Sequence, residues 1–281
     1  MAKVRVVTDS TADIDDGVAE KLGIEMIPLN VHWNGETYRD KVDITIDEFY
    51  RKLREEKGTP KTSQPSVGQF EQLYRHLMEE GAEGIVSIHI SGKLSGTLNA
   101  AKTAADIVAP GRIALVDSQI LAYSLGVLVT RTAALANDGA PLDECVAYAE
   151  KLVPRLRLFA AADTLEFLRR GGRLTRAQAF AGTLLSIKPL IQLVEGEIIP
   201  ADRVRTKAAA IKRMAELVLN LGPLEEVAVL FADDPAPADQ LYELISKARP
   251  GLPIKRGRTG AVIGAHNGPG LYGVYALLAE Q

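Results

Sequence analysis

The sequence has little cysteine, few aromatic residues and no long hydrophobic run. Of its 281 residues one is cysteine, Cys145, and 5% are aromatic. A single cysteine excludes an internal disulfide and a thiolate metal cage, which favours a reducing compartment. The most apolar run, residues 121–130, ends at Arg131 and is well short of the roughly 20 residues that a membrane-spanning helix needs. The first residues also show no signal-peptide pattern, so we expect a cytoplasmic protein without stable membrane insertion.

An excess of basic charge is absent as well, because the formal net charge is −3 at pH 7. Domains that bind nucleic acid usually carry a basic face, so we do not expect nucleic acid as a partner. The histidines and acidic residues show no spacing typical of metal ligands. The sequence therefore predicts neither a metal nor a cofactor.

Residues 85–99, with the sequence IVSIHISGKLSGTLN, combine a strand, a polar loop and the start of a helix. Residues 85–90 are mostly β-branched and predict a buried strand, and a helix is expected from about Gly96. First-turn N–H groups of a helix lack intrahelical acceptors, so a hydroxyl-rich loop at that position can hold an anion. The simpler interpretation is that Ser95 only caps its helix.

A second hydroxyl cluster, TSQPS at residues 62–66, precedes another predicted helix. Ser66 and Gln69 have the spacing of a capping box, which starts this helix near Val67. Polar residues also follow the predicted strands that end near Thr8 and Val116. Since ligands of parallel sheets bind beyond the carboxyl ends of the strands, these segments predict a site at one sheet edge.

The order of elements predicts an α/β protein with two domains. Strands and helices alternate through residue 156, which predicts an α/β/α domain with a parallel sheet that carries the hydroxyl clusters. In the remainder, apolar runs at residues 189–194 and 197–201 flank Glu195-Gly196, a hairpin signal. We therefore expect a second, α+β domain with a mixed sheet at residues 157–281. Residues 24–33 are predicted to form one strand that turns at Asn34-Gly35.

Two known motifs, a phosphate-binding loop and a nucleophile elbow, are incomplete around these clusters. A phosphate-binding loop ending at Lys93 would need Gly at position 87, which is Ser, and Ser or Thr at position 94, which is Leu. A nucleophile elbow at Ser95 would need Gly at position 93. His266 lies in the glycine-rich residues 264–270, which we expect to form a loop. A serine-dependent acyl hydrolase or transferase using Ser95 and His266 therefore stays open as an alternative.

The two hydroxyl clusters and His266 together suit a single carboxylate or phosphate. A buried anion needs several hydrogen bonds to replace those it made with water. No arginine accompanies these donors within the motifs, which favours a monoanion over a phosphate-rich nucleotide.

Six motifs, in the same order and over the whole chain, resemble the DegV family. They are TDSTAD (8–13), TSQPS (62–66), SGKLSGT (91–97), VDS (116–118), RRGGRL (169–174) and GAHNGPG (264–270). The resemblance implies a DegV-like fold that holds a long-chain fatty acid, with the acyl chain in a tunnel at the domain junction.

Specific roles also follow from this resemblance. It implies that Thr62 and Ser95 hydrogen-bond the carboxylate. Possible neighbours of the head group are Ser63, Gly96, Thr97 and His266. It further implies a non-enzymatic carrier, the subunit of a fatty acid kinase that presents the fatty acid to a separate kinase subunit.

Two further segments carry weaker expectations. Residues 179–193 alternate small and large apolar side chains, which suits a tunnel wall or ordinary core. A basic run consists of Arg169, Arg170, Arg173 and Arg176. It is either a solvated face or a docking surface for an acidic kinase partner. For the function of the whole protein, the remaining alternative to a carrier or a hydrolase is a scaffold with an empty pocket.

Overall fold

The computed structural model describes residues 3–174 and 188–280. Within them the chain forms thirteen strands and ten α-helices. The strands are β1 (Val4–Asp9), β2 (Ile24–Ile27), β3 (Asn30–Trp33), β4 (Glu36–Arg39), β5 (Lys61–Ser63), β6 (Gly84–His89), β7 (Ile113–Asp117), β8 (Leu156–Ala161), β9 (Lys188–Val194), β10 (Glu197–Val204), β11 (Leu224–Phe231), β12 (Ile254–Arg258) and β13 (Tyr272–Leu278). The helices are α1 (Asp16–Leu22), α2 (Ile46–Glu55), α3 (Val67–Glu79), α4 (Thr97–Val108), α5 (Ala122–Asn137), α6 (Leu142–Leu152), α7 (Glu166–Arg170), α8 (Lys207–Leu219), α9 (Ala236–Ala248) and α10 (Ala261–Asn267). No helix of these residues is long and apolar enough to cross a bilayer.

The predicted parallel sheet is present, with the strand order β2-β1-β6-β7. Its strands are covered on both faces, because successive side chains of a strand point to opposite sides. Val6 packs into the core that α5 and α6 cover, whereas Val7 packs with Phe70 and Tyr74 of α3. The carboxyl ends of β1 and β6 therefore lie side by side at one edge.

Residues 24–33 form two strands, so the prediction of one continuous strand is wrong. β2 joins the parallel sheet, but β3 pairs with β4 and β5 in a separate antiparallel sheet. Pro28 lies between them and has no N–H group for a sheet ladder. The N–H of Leu29 donates instead to the Ser10 hydroxyl, at 3.1 Å. The chain thus changes sheets at this point and brings β5 beside β3.

The second half contains the predicted mixed sheet, in the order β10-β9-β8-β13-β11-β12. β9 and β10 form the expected hairpin, with φ angles of 50° at Glu195 and 80° at Gly196. All strands of the parallel sheet precede residue 118 and all strands of the mixed sheet follow residue 155. The division of the chain into domains at residue 156 stays a prediction.

His266 lies on a helix, so the prediction of a loop over residues 264–270 is wrong in its first part. The buried residues 261–263 begin α10, and Gly268, with a φ of 76°, ends it. Gly264 faces α2, where a Cβ atom would lie 2.7 Å from the Tyr50 hydroxyl and 2.7 Å from the Phe49 ring. This glycine therefore serves close helix packing.

Two glycines inside helices test the packing of the first half. A Cβ at Gly126 of α5 would collide with the carbonyl oxygen of Ala12, whereas Gly68 of α3 faces open space. We expect Gly126→Ala to lower the free energy of unfolding by about 1–3 kcal/mol, because α5 must move away from this loop. Gly68→Ala should be neutral or stabilise by up to about 1 kcal/mol. Urea unfolding measures both changes, and equal values for the two variants would contradict this packing.

Candidate functional site

Thr62 of β5 faces the second half of the chain. Its Oγ1 lies 2.7 Å from Nε2 of His266 on α10, within hydrogen-bond distance. Ser63, the next residue of the strand, points the other way, and its Oγ lies 2.9 Å from Nε2 of His32 and 3.3 Å from Nδ2 of Asn30. The structure thus brings Thr62 and His266 together and separates Ser63 from them.

Ser95 lies in the turn before α4 and is not the N-cap of that helix. The N-cap is Gly96, which makes no side-chain capping bond. The Ser95 hydroxyl lies 2.8 Å from Oγ1 of Thr97 and accepts the Thr97 N–H at 3.3 Å. Ser95 is half-buried, Thr97 is buried and Gly96 is exposed beside the Gln64 side chain.

His266 is held as a neutral imidazole. Burial, together with the positive charge of Arg173, lowers the pKa of His266 to about 4. Its Nδ1 is buried against Gly171, where any Cβ atom would collide with it, and has no partner among the described residues. Buried donors are left unpaired less often than acceptors, which favours the tautomer with its hydrogen on Nε2. That hydrogen then donates to Thr62, and the Thr62 hydroxyl keeps its own hydrogen for another acceptor.

Arg173 contributes a positive charge that motif-based reasoning missed. Its Nε donates to the Leu94 carbonyl at 3.1 Å and its Nη1 to the Gly171 carbonyl at 2.6 Å. Because α7 ends at Arg170 and Gly172 has a φ of 72°, Arg173 leaves the helix face and turns inward. The turn signal Gly171-Gly172 in the sequence could have indicated this.

The other members of the basic run lie elsewhere. Arg169 and Arg170 both form ion pairs with Glu166 on α7 and are exposed. Arg176 lies outside the described residues. The described members of the run are therefore divided between a surface pair and one inward-facing guanidinium.

Thr62, Ser95, Arg173 and His266 line one cavity. The rest of its wall is apolar apart from Asn267. A second cavity adjoins it. The residues that line both are Leu121, Ile198, Ile263 and Asn267.

The second cavity extends between the start of α5 and the mixed sheet. Neighbouring strands contribute Ile191, Ala160, Gly273 and Leu230, which lie in one cross-strand row. Of the segment predicted as a tunnel wall, residues 179–187 lie outside the described residues. Ile191 and Leu193 of that segment do line this cavity.

A buried polar network lies at the end of β6, immediately before the Ser95 loop. His89 Nδ1 lies 3.0 Å from Asp9 Oδ2 and its Nε2 lies 2.7 Å from the Ser87 hydroxyl. Asp9 also accepts the N–H of Ile90 at 3.0 Å. Ser87, His89 and Asp9 are all 0% exposed, which leaves no access for a substrate. The network fixes the strand end from which the loop departs.

The structure does not pair Ser95 with His266 as a nucleophile and its base. The Ser95 hydroxyl bonds to Thr97, and Nε2 of His266 bonds to Thr62. Nucleophilic catalysis requires a hydrogen bond between these two groups in the reacting complex. The geometry instead provides hydroxyl donors, a neutral imidazole and one cation around the end of an apolar cavity.

Comparison with known proteins identifies the family. The family model described as "Uncharacterised protein, DegV family" matches residues 3–279. A DegV domain-containing protein of Streptomyces coelicolor is 38% identical over 274 residues, which cover 96% of this chain and 97% of the relative. The structure of a fatty-acid-binding DegV family protein from Thermus thermophilus has a TM-score of 0.89 and 37% identity, and the match covers 98% of this chain and 99% of that chain. The structure of DegV, a fatty acid binding protein from Bacillus subtilis, has a TM-score of 0.88 and 33% identity, with coverages of 99% and 100%. This chain therefore belongs to the DegV family.

Proposed function

We propose that this protein binds a long-chain fatty acid. The observation that carries the proposal is the position of Thr62, Ser95, Arg173 and His266 at one end of two adjoining apolar cavities. One polar end and one long apolar space match a molecule with one head group and one hydrocarbon chain. The fatty-acid-binding relatives from Thermus thermophilus and Bacillus subtilis support this choice of ligand.

The carboxylate would lie among the four polar side chains. It loses its hydrogen bonds to water on entering the cavity and needs replacements. The hydroxyls of Thr62 and Ser95 can each donate one, and Arg173 supplies the opposite charge. His266 carries no charge of its own and orients the Thr62 hydroxyl toward the ligand. Gly96 and Thr97 border this group, since they adjoin Ser95.

The acyl chain would contribute most of the affinity. Each buried methylene stabilises the complex by roughly 0.8 kcal/mol, so a palmitate-like chain provides more than its single head group. In this proposal the chain runs from the head-group residues into the space between α5 and the mixed sheet. Side chains from both halves of the protein line that path, among them Leu121 and Ile198. The tunnel is thus interdomain, if the domains divide near residue 156.

We further propose that the protein is a carrier that presents its fatty acid to a separate kinase, which would form an acyl phosphate. The head-group end of the cavity lies near the surface, because Ser95 is half-buried and Gln64 and Gly96 are exposed. A partner could therefore reach the carboxylate while the acyl chain stays buried.

The same proposal places the carrier in the cytoplasm, a reducing compartment in which the buried Cys145 stays a free thiol.

Removal of the head-group hydroxyls is the first test of the binding site. We expect Thr62→Val and Ser95→Ala each to weaken binding of a fluorescent long-chain fatty acid by roughly tenfold or more, since each loses a hydrogen bond to a charged group. Ser63→Ala is the matched control, because its hydroxyl points toward His32. Titration of the three variants measures the effect. A loss in Ser63→Ala as large as in Thr62→Val would contradict the assignment.

Arg173 provides a second test. Arg173→Gln removes the charge that faces the carboxylate, and we expect affinity to fall by roughly tenfold to a hundredfold. Arg169→Gln removes an arginine that pairs with Glu166 at the surface and should bind normally. The same titration measures both, with thermal unfolding as the check on folding. Unchanged affinity in Arg173→Gln would exclude Arg173 from the head-group site.

The carrier role makes a separate prediction. The protein loaded with fatty acid should form no acyl phosphate with Mg²⁺ and ATP alone, as measured by hydroxylamine trapping, and should form it when a fatty acid kinase is added. Formation of acyl phosphate without the kinase would contradict the carrier role.

The same reaction tests the exposed arginines as a docking surface. Charge reversal at Arg169 and Arg170 should slow acyl-phosphate formation if this surface meets an acidic kinase. Arg75→Glu, at an exposed arginine paired with Glu71 on α3, is the control. An unchanged rate in the double variant would exclude docking through these arginines.

A further inference from the structure

Asp13, which is half-buried, and Asp40, which is buried, place two carboxyl groups at the start of α10, the helix that carries His266. Asp13 Oδ1 accepts the N–H of Gly260 at 3.0 Å. A Cβ at Gly260 would lie 2.7 Å from Asp13 Oδ1 and 3.9 Å from Asp40 Oδ2. Both carboxyl groups, which come from the first half of the chain, therefore crowd one point of the backbone of the second half.

These carboxyl groups have few hydrogen-bond partners to compensate for the loss of water. Asp40 is 1% exposed, and neither of its oxygens has a hydrogen-bond partner among the described residues. Oδ2 of Asp13 is also buried without such a partner. The Ser10 hydroxyl and the Ala261 N–H face Asp40 without reaching hydrogen-bond geometry. Two ionised carboxylates in this position would lack the compensation that buried charges need.

The charged and titratable groups around the pair are Lys41, Asp9 and Tyr50. Lys41 favours ionisation of both carboxyls, although its ammonium group donates to the Ile14 carbonyl at 2.6 Å. Asp9 opposes ionisation of both. The Tyr50 phenol of α2 stays neutral, because burial raises its pKa.

The protonation state follows from this environment. Burial raises the pKa of Asp13 to about 8 and the pKa of Asp40 to about 6, and the charge of each carboxylate opposes ionisation of its neighbours. Near neutral pH, Asp13 therefore keeps its proton while Asp40 is ionised. As the pH rises through about 8, Asp13 ionises and two negative charges face each other at Gly260. The folded state loses stability as the pH rises from about 4 toward about 8, because over that range it holds a proton that the unfolded chain has released, and the loss is complete above about pH 8.

We propose that Asp13 and Asp40 are positioning residues that fasten the start of α10 while one of them holds a proton, and that loss of this proton loosens the helix. His266 lies six residues beyond Gly260, about 9 Å along the helix axis. Movement of α10 would therefore separate His266 from Thr62, the contact that orients the Thr62 hydroxyl. The pair itself does not touch the ligand, and its effect on fatty acid binding rests on the proposed function.

The experiment compares fatty acid affinity from about pH 6 to about pH 10 in the wild type and two variants. In Asp13→Asn the side-chain oxygen still accepts the Gly260 N–H, and the carboxamide stays uncharged at every pH. Asp16→Asn, at an exposed carboxylate of α1, is the control for changes in the ionisation of the ligand. We expect the affinity of the wild type and of Asp16→Asn to fall about tenfold or more between pH 6 and pH 8 and to change little above pH 8. Asp13→Asn should keep its neutral-pH affinity throughout.

Amide hydrogen exchange of residues 261–267 without ligand separates this proposal from the proposed function. Relative to Asp13→Asn at each pH, the wild type should lose protection as the pH rises from about 6 to about 8 and should change little above pH 8. If no variant binds fatty acid but protection still changes in this way, the proposed function fails and the positioning role stands. Equal pH profiles of wild type and Asp13→Asn, in both affinity and protection, would overturn the positioning role.

Asp40→Asn gives a second variant should Asp13→Asn fold poorly. It removes the facing charge, so the loss with rising pH should be smaller than in the wild type, whereas burial still opposes ionisation of Asp13. A loss as large as in the wild type would contradict the pairing. A response of wild-type protection to added Ca²⁺ or Mg²⁺, or to a chelator, would show a bound cation between the carboxylates and would also overturn the proposal.

Discussion

The hydrogen bond between Thr62 and His266 is the contact on which the candidate site depends, because it joins the first half of the chain to the second at the head-group position. Burial keeps the imidazole neutral, so its two nitrogens act as one donor and one acceptor and do not compete with Arg173 for an anion. Among the residues that the structure describes, the site therefore holds one positive charge, which balances one carboxylate. A charged histidine at this position would favour a dianion instead.

The motifs of the second half are rich in glycine because neighbouring groups approach their backbone too closely for a side chain. Gly171 leaves room for the imidazole of His266, and Gly264 lets α10 lie close against Phe49 and Tyr50 of α2. The β9–β10 hairpin adds another contact between the halves, since the Ser91 hydroxyl donates to the Gly196 carbonyl at 2.8 Å. Backbone approaches of this kind hold the polar end of the cavity together from several directions.

Much of the fold could be predicted from the sequence, because local patterns decide it. The alternation of strands and helices predicted the parallel sheet, and Glu195-Gly196 predicted the β9–β10 hairpin. Their motifs also pointed to Thr62 and Ser95, which line one cavity, and their role as carboxylate ligands stays a prediction. The inward position of Arg173 and the helix that carries His266 could not be predicted, because both depend on tertiary contacts. The turn at Gly172 directs Arg173 away from α7, and packing against α2 stabilises α10. The change of sheets at Pro28 likewise depends on Ser10, which is distant in sequence.

The central claim is that the two adjoining cavities hold a long-chain fatty acid, and mass spectrometry of the organic extract from freshly purified, denatured wild-type protein tests it most directly. We predict one long-chain fatty acid per protein molecule, and its length would show how much of the space between α5 and the mixed sheet is filled. An empty extract from well-folded protein that also fails to take up added palmitate would contradict the claim.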